Sequence, residues 1–137
     1  MPTLSLSQTV QAVASGECSA AAVLETCIAR IEATDARVNA FTGTRFDAAR
    51  AQAAQVDVRR ARGEPLGPLA GVPFAVKNLF DIAGEVTLAG SKVNRSHPPA
   101  TANAVLVERL HAAGAVLVGS LNMDEYAYGF TTENTHY

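Results

Sequence analysis

The sequence has little of what marks several special classes of protein. It has no run of about 18 apolar residues, which a membrane-spanning helix would need. Lysine and arginine total 11 against 13 aspartates and glutamates, so the net charge is −2 and a basic surface for nucleic acid is not expected. Residues Met1 to Ser15 lack the basic and apolar segments of a secretory signal. We therefore expect a globular protein of the cytoplasm, without membrane or direct nucleic-acid partners.

Cysteine and histidine are too few and too scattered for a disulfide framework or a metal site. Cys18 and Cys27 lie in one predicted helix, whose rise would separate them by roughly 13 Å, too far for a disulfide. His97, His111 and His136 show no metal-ligand spacing. Glycine patterns of phosphate or dinucleotide loops are also missing. We expect reduced thiols, no metal and no cofactor.

Residues 1–63 are predicted to form an N-terminal helical region with three helices. Each helix has a polar residue before an apolar stripe of helical spacing, and a short extended link at Asn39 to Phe41 precedes the third. The predicted caps are Ser5 with Gln8, then Ser19, then Thr44 with Asp47, and the predicted ends are Gly16, about Ala33 and Gly63. The predicted inward residues are Leu6, Val10 and Val13; Val23, Leu24, Cys27, Ile28 and Ile31; and Phe46, Ala49, Ala53 and Val56.

Residues 64–137 carry the pattern of an α/β unit. Phe74 to Lys77 and Ala115 to Gly119 are apolar runs without polar alternation, which predicts strands buried on both faces. A helix that starts at Thr101 is expected between them, with Gly114 just past its end and an inward stripe of Leu106, Leu110 and Ala113. Strand, helix and strand in this order predict two parallel strands with a right-handed crossover. A short helix from Met123 to about Tyr128, capped by Asn122 and Glu125, is expected after the second strand.

Lys77 is the candidate catalytic residue, because it ends the apolar strand that starts at Phe74. Burial disfavours the ammonium form of a lysine and lowers its pKa, which makes a lysine a base near neutral pH. The alternative is a lysine whose amine reaches water from the end of the strand. The run alone leaves both possibilities open.

Five blocks of sequence in the second half of the chain resemble the amidase signature family. They keep the order and spacing of that family, and the predicted N-terminal helices fit it more loosely. The blocks are Gly67 to Lys77, Thr87 to Lys92, Ala113 to Gly119, Asn122 to Ala127 and Thr132 to Asn134. Within the family, Lys77-Asn-Leu-Phe-Asp81 is most similar to the carboxybiuret hydrolase type, with the A subunit of glutamyl-tRNA amidotransferase as a close relative.

This resemblance implies an α/β amidase-signature fold, of which the chain holds the N-terminal helices and the first strands of a mixed central sheet. It also implies hydrolysis of a small amide by a serine–cis-serine–lysine triad, with Lys77 as the lysine. The segment from Met123 to Ala127 is expected to border the substrate pocket, although a core position is the alternative for Met123. A small helical accessory subunit is the implied partner, and no cofactor is needed.

The sequence departs from the family pattern in two respects. Asn78 stands where many relatives have aspartate, which bears on how Lys77 is held. The Gly/Ser-rich segment that carries the two triad serines is absent, and Ser91 and Ser120 are interpreted as structural. We therefore expect an N-terminal portion of an amidase that needs the remaining polypeptide. The alternatives are a glutamine-hydrolysing A subunit of a tRNA-dependent amidotransferase and a non-catalytic βαβ binding module.

Overall fold

The computed structural model describes residues 4–137, so Met1 to Thr3, on which the expectation about a signal partly rests, lie outside the described residues. The fold is α/β, with helices packed on a mixed three-stranded sheet, which confirms the predicted class. In chain order the elements are α1 (Leu6–Ser15), α2 (Ala20–Val38), β1 (Phe41–Thr44), α3 (Phe46–Ala61), β2 (Pro73–Lys77), α4 (Val105–Ala112) and β3 (Val116–Leu121), with 3₁₀ turns at Lys92–Ser96 and Glu125–Ala127.

The first two helices begin where the sequence predicts. The Ser5 hydroxyl accepts from the Gln8 amide at 3.3 Å, and the Ser5 amide donates to the Gln8 side chain at 2.9 Å. The Ser19 hydroxyl accepts from the Ala22 amide at 3.0 Å. Helix α2 continues beyond the predicted end to Val38, because no glycine or proline interrupts it before the left-handed C-cap at residue 39.

The apolar faces of the helices are confirmed in part. Helix α1 turns Leu6 outward, with 58% of the residue exposed, and buries Thr9 and Ala12 beside Val13. In α2 and α3 the residues at the centre of each predicted stripe are buried, and the flanking ones are half-buried against them. The buried residues are Leu24, Ile28, Ala49, Ala53 and Val56.

Side chains of α3 hold the ends of the two preceding helices. The carboxylate of Asp57 accepts from the amides of Ala20 at 2.8 Å and Ala21 at 3.1 Å, which are free donors at the start of α2. The Arg60 guanidinium donates to the carbonyls of Val13 at 3.1 Å and Cys18 at 3.0 Å, around the end of α1. Three helices are thus fixed to one another through hydrogen bonds as well as apolar packing.

An ion pair also joins α2 to α3 on the outer surface. The Arg50 guanidinium donates to both oxygens of Glu25, at 2.7 and 3.1 Å. These hydrogen bonds lower the pKa of the Glu25 carboxyl below its usual value. Because the pair is solvent-exposed, its contribution to stability is small.

A strand begins at Phe41, the last residue of the predicted extended link, and continues to Thr44, just before α3. Strand β1 pairs antiparallel with β3, with Phe41 opposite Leu121 and Thr44 opposite Gly119. Thr44 therefore ends a strand, and its predicted role as N-cap was wrong, since Arg45 precedes α3 without a side-chain cap. Four residues with two threonines and a glycine are too short a pattern to predict a strand. The region 1–63 thus contributes an edge strand as well as helices.

The sheet has the order β1-β3-β2, with β2 and β3 parallel as predicted. The register between β2 and β3 shifts after Phe74, which lies opposite Leu117, so that Ala75 lies opposite Gly119. Strand β3 is the central strand and is buried along nearly its whole length. In β2, Val76 is buried but Phe74 and Ala75 are half-buried, so the prediction of a strand buried on both faces was wrong for β2, which is an edge strand of the described sheet.

Helix α4 starts at Val105, four residues after the predicted start at Thr101. The preceding segment has another structure because its polar groups bond to the loop after β2. The Ala104 amide donates to the Asp81 carbonyl at 2.8 Å, and the Asn103 side chain accepts from the Ala83 amide at 2.8 Å. Val107 rather than Leu106 is the buried residue of this helix.

Two apolar clusters cover opposite faces of the sheet. The larger joins α1, α2 and α3 to Val116 and Val118, and the smaller joins Val107 and Ile82 to Leu117 and Val76. Within residues 4–137 no helix is long and apolar enough to cross a membrane. In the same part of the chain no three potential metal ligands cluster, and both cysteines are free and half-buried.

Candidate active site

Lys77 lies at the carboxyl end of β2, directly opposite Leu121 at the carboxyl end of β3. Open α/β sheets bind their ligands at this edge, beyond the carboxyl ends of parallel strands. Lys77 is exposed among the described residues, which agrees with the alternative in which its amine reaches water from the end of the strand. The physical reason is that Val76 faces the core and the next residue of an edge strand faces away from it.

Asn78 follows Lys77 and is buried, with 4% of the residue exposed. Its amide donates to the Leu121 carbonyl at 3.0 Å, and its carbonyl accepts from the Ala89 amide at 3.0 Å. Its side-chain oxygen accepts from the Gly90 amide at 2.9 Å, and its side-chain nitrogen donates to the Thr42 hydroxyl at 3.3 Å. This one residue therefore ties the end of β2 to both other strands and to the turn at residues 89–90.

The chain after β3 forms a tight turn instead of the predicted helix from Met123 to Tyr128. Only a 3₁₀ turn, Glu125–Ala127, is present there, and Tyr126 and Ala127 have positive φ angles of 54° and 57°. The predicted capping role of Glu125 was wrong, since its carboxylate instead accepts from the Ser91 hydroxyl. Such backbone angles are strained for residues other than glycine and are often found near functional sites.

The predicted pocket residues occupy different environments. Met123 is fully buried, which agrees with the core alternative, and its amide donates to the Asn122 side chain at 2.8 Å. Ala127 is exposed, and its amide donates to the Asp124 carbonyl at 3.1 Å. A role for either residue at a substrate pocket stays a prediction.

Hydrogen bonds through the turn at residues 89–90 connect the segment of Lys77 to the segment from Met123 to Ala127. The Ala89 carbonyl accepts from the Tyr126 amide at 2.9 Å. The Asn134 side chain donates to the carbonyls of Gly90, at 2.6 Å, and Met123, at 2.8 Å. The turn at residues 89–90 is thus bonded to the end of β2 on one side and to the turn after β3 on the other.

Ser91 and Ser120 make contacts typical of structural serines. Ser91 is fully buried, and its hydroxyl accepts from the Val93 amide at 3.3 Å besides donating to Glu125. The Ser120 hydroxyl, on β3, donates to Glu85 at 3.2 Å, and that carboxylate is paired with the Arg45 guanidinium. Among residues 4–137, neither hydroxyl is hydrogen-bonded to a lysine or histidine base.

Sequence reasoning missed two residues that shape this region. The amide of Asn134 bridges chain segments 44 and 11 residues away, and no local periodicity predicts such a bridge. Gly90 has a φ of 70°, and a Cβ there would lie 3.0 Å from the carbonyl oxygens of Met123 and Asp124. Asn134 ends the Thr-Glu-Asn block and Gly90 lies in the Thr-Leu-Ala-Gly-Ser-Lys block, so the motifs alone mark both.

Comparison with known proteins identifies the family of this chain. The model of the Amidase family matches residues 22–137, and the chain belongs to this family. It is 66% identical over 128 residues to the AtzE subunit of 1-carboxybiuret hydrolase from Pseudomonas sp. (strain ADP), covering 93% of this chain and 28% of that protein. It is 48% identical over 125 residues to the A subunit of glutamyl-tRNA(Gln) amidotransferase from Streptomyces coelicolor, covering 91% of this chain and 25% of that protein.

Solved structures share the architecture. A chain from a vestigial protein complex that reveals the evolutionary origins of an s-triazine catabolic enzyme superposes with a TM-score of 0.96 and 63% identity, over 98% of this chain and 29% of that one. A bacterial aryl acylamidase of the amidase signature family superposes with a TM-score of 0.87 and 32% identity, over 94% of this chain and 27% of that enzyme. The chain therefore spans between a quarter and a third of the length of these relatives.

Proposed function

We propose that this chain is the N-terminal part of a hydrolase that cleaves a small amide. The observation that carries the proposal is the position of Lys77 at the shared carboxyl edge of β2 and β3, within a chain of the amidase family. The 66% identity to a protein of 1-carboxybiuret hydrolase supports a carboxylated, biuret-like or urea-like substrate. We also propose that residues 1–63 and 64–137 are the helical region and the first part of the α/β core of one larger domain.

In the proposed mechanism Lys77 is the final base of a serine–cis-serine–lysine triad. Its neutral amine takes a proton from a bridging serine, which in turn deprotonates the nucleophilic serine. The alkoxide attacks the amide carbon, backbone donors stabilise the resulting oxyanion, ammonia or an amine leaves, and water cleaves the acyl-enzyme. This mechanism requires neither a metal nor a cofactor.

The mechanism requires polypeptide beyond Tyr137 for two reasons. The proposal takes the two triad serines from it, because Ser91 and Ser120 are hydrogen-bonded to carboxylates and are interpreted as structural. It must also cover Lys77, which is exposed in residues 4–137, because burial is what favours the neutral amine of a lysine. In this arrangement the segment from Met123 to Ala127 borders the pocket for the acyl part of the substrate.

We further propose that the partner is a small helical accessory protein and that the location is cytoplasmic. A related chain occurs in a vestigial protein complex, which supports an assembly of several chains. Two unpaired cysteines, Cys18 and Cys27, are compatible with a reducing compartment.

A second candidate function is hydrolysis of glutamine as the A subunit of a tRNA-dependent amidotransferase, favoured by the 48% identity to such a protein. Assay of the complete polypeptide for ammonia release separates the two, with carboxybiuret and glutamine as parallel substrates. We expect a kcat/KM for carboxybiuret at least about 100-fold above that for glutamine, the discrimination that differing polar groups of a substrate can produce. Preference for glutamine would support the amidotransferase instead.

A further inference from the structure

We propose that Asn78 is a positioning residue, which fixes Lys77 relative to the segment from Met123 to Ala127 through the turn at Ala89 and Gly90. This inference rests on the proposed role of Lys77 as the base. It concerns Asn78, the residue after the lysine, and the hydrogen-bond partners of the Asn78 side chain.

Each polar group of Asn78 has a hydrogen-bond partner, which makes its position well defined. Both ends of the buried side chain have partners, the Gly90 amide at 2.9 Å and the Thr42 hydroxyl at 3.3 Å. Both of its backbone polar groups are also bonded, to Leu121 and Ala89. Loss of the side-chain amide would leave the Gly90 amide without its acceptor in the interior, which is costly.

The turn that Asn78 holds is directly hydrogen-bonded to the segment from Met123 to Ala127. Ala89 has a φ of 48°, and its peptide groups bond to Asn78 on one side and Tyr126 on the other. Tyr126 and Ala127 are also left-handed. Three non-glycine residues in a strained conformation therefore meet at this turn, and such strain persists where surrounding contacts enforce it.

The packing at Gly90 leaves little space for the turn to move independently. A Cβ at this position would come within 3.0 Å of the Asn134 side-chain nitrogen and of the carbonyl oxygens of Asp124 and Met123. The Asn134 amide also clamps the carbonyls of Gly90 and Met123 together. A displacement of residues 89–90 is therefore transmitted to residues 123–127.

The test compares three substitutions in the complete enzyme. Asn78→Leu keeps the approximate volume and removes both side-chain hydrogen bonds, whereas Asn78→Asp keeps an acceptor for the Gly90 amide. Asn103→Leu is the matched control, because the Asn103 side chain also accepts from a backbone amide, at 2.8 Å from Ala83, and donates to an oxygen, at 2.6 Å from Glu108. It lies in the same connection between β2 and α4, outside the hydrogen bonds of the site.

We expect Asn78→Leu to lower kcat about 100-fold, the effect of misplacing a reacting group by about 1 Å, with KM changed less than about threefold. Asn78→Asp should restore kcat to within about tenfold of the unmodified enzyme, and Asn103→Leu should leave it unchanged. Hydrogen exchange of the Gly90 and Tyr126 amides should accelerate in Asn78→Leu and not in Asn103→Leu. A purely structural role would lower the folded fraction but not the kcat of the folded enzyme.

Equal kcat in Asn78→Leu and Asn103→Leu, or unchanged exchange of the Tyr126 amide in Asn78→Leu, would overturn the inference. If Asn78→Leu does not fold, Thr42→Val takes its place, since it removes one partner of Asn78 and should lower kcat about fivefold. An unchanged kcat in that variant would equally contradict the inference. Failure of the proposed base is distinguishable, because Lys77→Ala would then keep its rate whatever Asn78→Leu does.

Discussion

At the scale of single residues, Ser91 and Ser120 differ from the nucleophile that amide hydrolysis requires. An activated serine is hydrogen-bonded to a base and open to substrate. Ser91 is fully buried and Ser120 is 7% exposed, and both hydroxyls donate to carboxylates. Their environment accounts for them as structural residues, and the proposed mechanism therefore takes its reactive serines from elsewhere in the complete enzyme.

Labelling with a serine-directed phosphonofluoridate tests whether Ser91 or Ser120 is reactive. In the complete enzyme, we expect labelling to be unchanged by Ser91→Ala and Ser120→Ala, because neither hydroxyl reaches the reagent. Ser120→Ala should lower the free energy of unfolding by about 1 kcal/mol, because one hydrogen bond is lost, and Ser91→Ala by about 2 kcal/mol, because its hydroxyl makes two. Peptide mass spectrometry locates the label, and modification at position 91 or 120 would contradict this interpretation.

The sequence could predict that Lys77 lies at a strand end, but it could not predict the surroundings of this residue. Its place at a strand end follows from the apolar run from Phe74 to Val76, and the structure confirms the strand. Its exposure depends on β2 having a single neighbour among the described strands. The role of Asn78 depends on partners 12 and 36 residues away, and one sequence contains no signal for such pairs.

At the scale of elements, helices and strands with a strong apolar pattern were predicted well, and short elements were not. The apolar stripes predicted α1 to α3, the caps at Ser5 and Ser19 predicted the starts of α1 and α2, and two apolar runs predicted β2 and β3. Strand β1 is four residues long and exists because β3 offers it a pairing edge. The segment after β3 has a helix-like composition, but it does not form a helix because the Tyr126 amide donates to the Ala89 carbonyl and the Asn134 side chain donates to the Met123 carbonyl.

Gly119 lies where β1 and β3 approach closely. A Cβ there would lie 2.4 Å from the Gly43 carbonyl oxygen and 3.2 Å from the Thr44 Cα, so the backbone of β1 would have to move. We expect Gly119→Ala to lower the free energy of unfolding by about 1–3 kcal/mol, as overpacking does. Chemical denaturation of the complete enzyme measures this change.

Gly43→Ala is the matched control for that substitution. It adds the same methyl group on the opposing strand, where no atom of the described residues outside its chain neighbours would lie within 4 Å of the new Cβ. We expect its free energy of unfolding to stay within about 0.5 kcal/mol of the unmodified protein. Equal destabilisation by both substitutions would contradict the described pairing of β1 with β3.

At the scale of the whole molecule, the described residues form a core that leaves strand edges unpaired and aromatic side chains exposed. Both β1 and β2 are edge strands of the described sheet. Tyr126 is more than half exposed, and Tyr128 and Phe130 are almost completely exposed. Open strand edges and clustered exposed aromatics are typical of surfaces that another polypeptide covers.

We expect residues 1–137 expressed alone to be inactive toward amides, to bind a hydrophobic dye and to self-associate, because these surfaces lack a cover. Size-exclusion chromatography with light scattering measures the association. A monomer that unfolds cooperatively and binds no dye would favour the third interpretation of the sequence, a non-catalytic binding module.

The most direct test of the central claim is the turnover of the complete enzyme after Lys77→Ala. Its control is Lys92→Ala, which removes the other lysine of residues 1–137, also exposed. If Lys77 is the base of the triad, its loss should lower kcat for carboxybiuret by about 10⁴-fold or more, because triad members act as a unit. The circular dichroism spectrum should stay unchanged. Lys92→Ala should keep its rate. A near-normal rate in the folded Lys77→Ala enzyme would contradict the account and exclude Lys77 from the reaction.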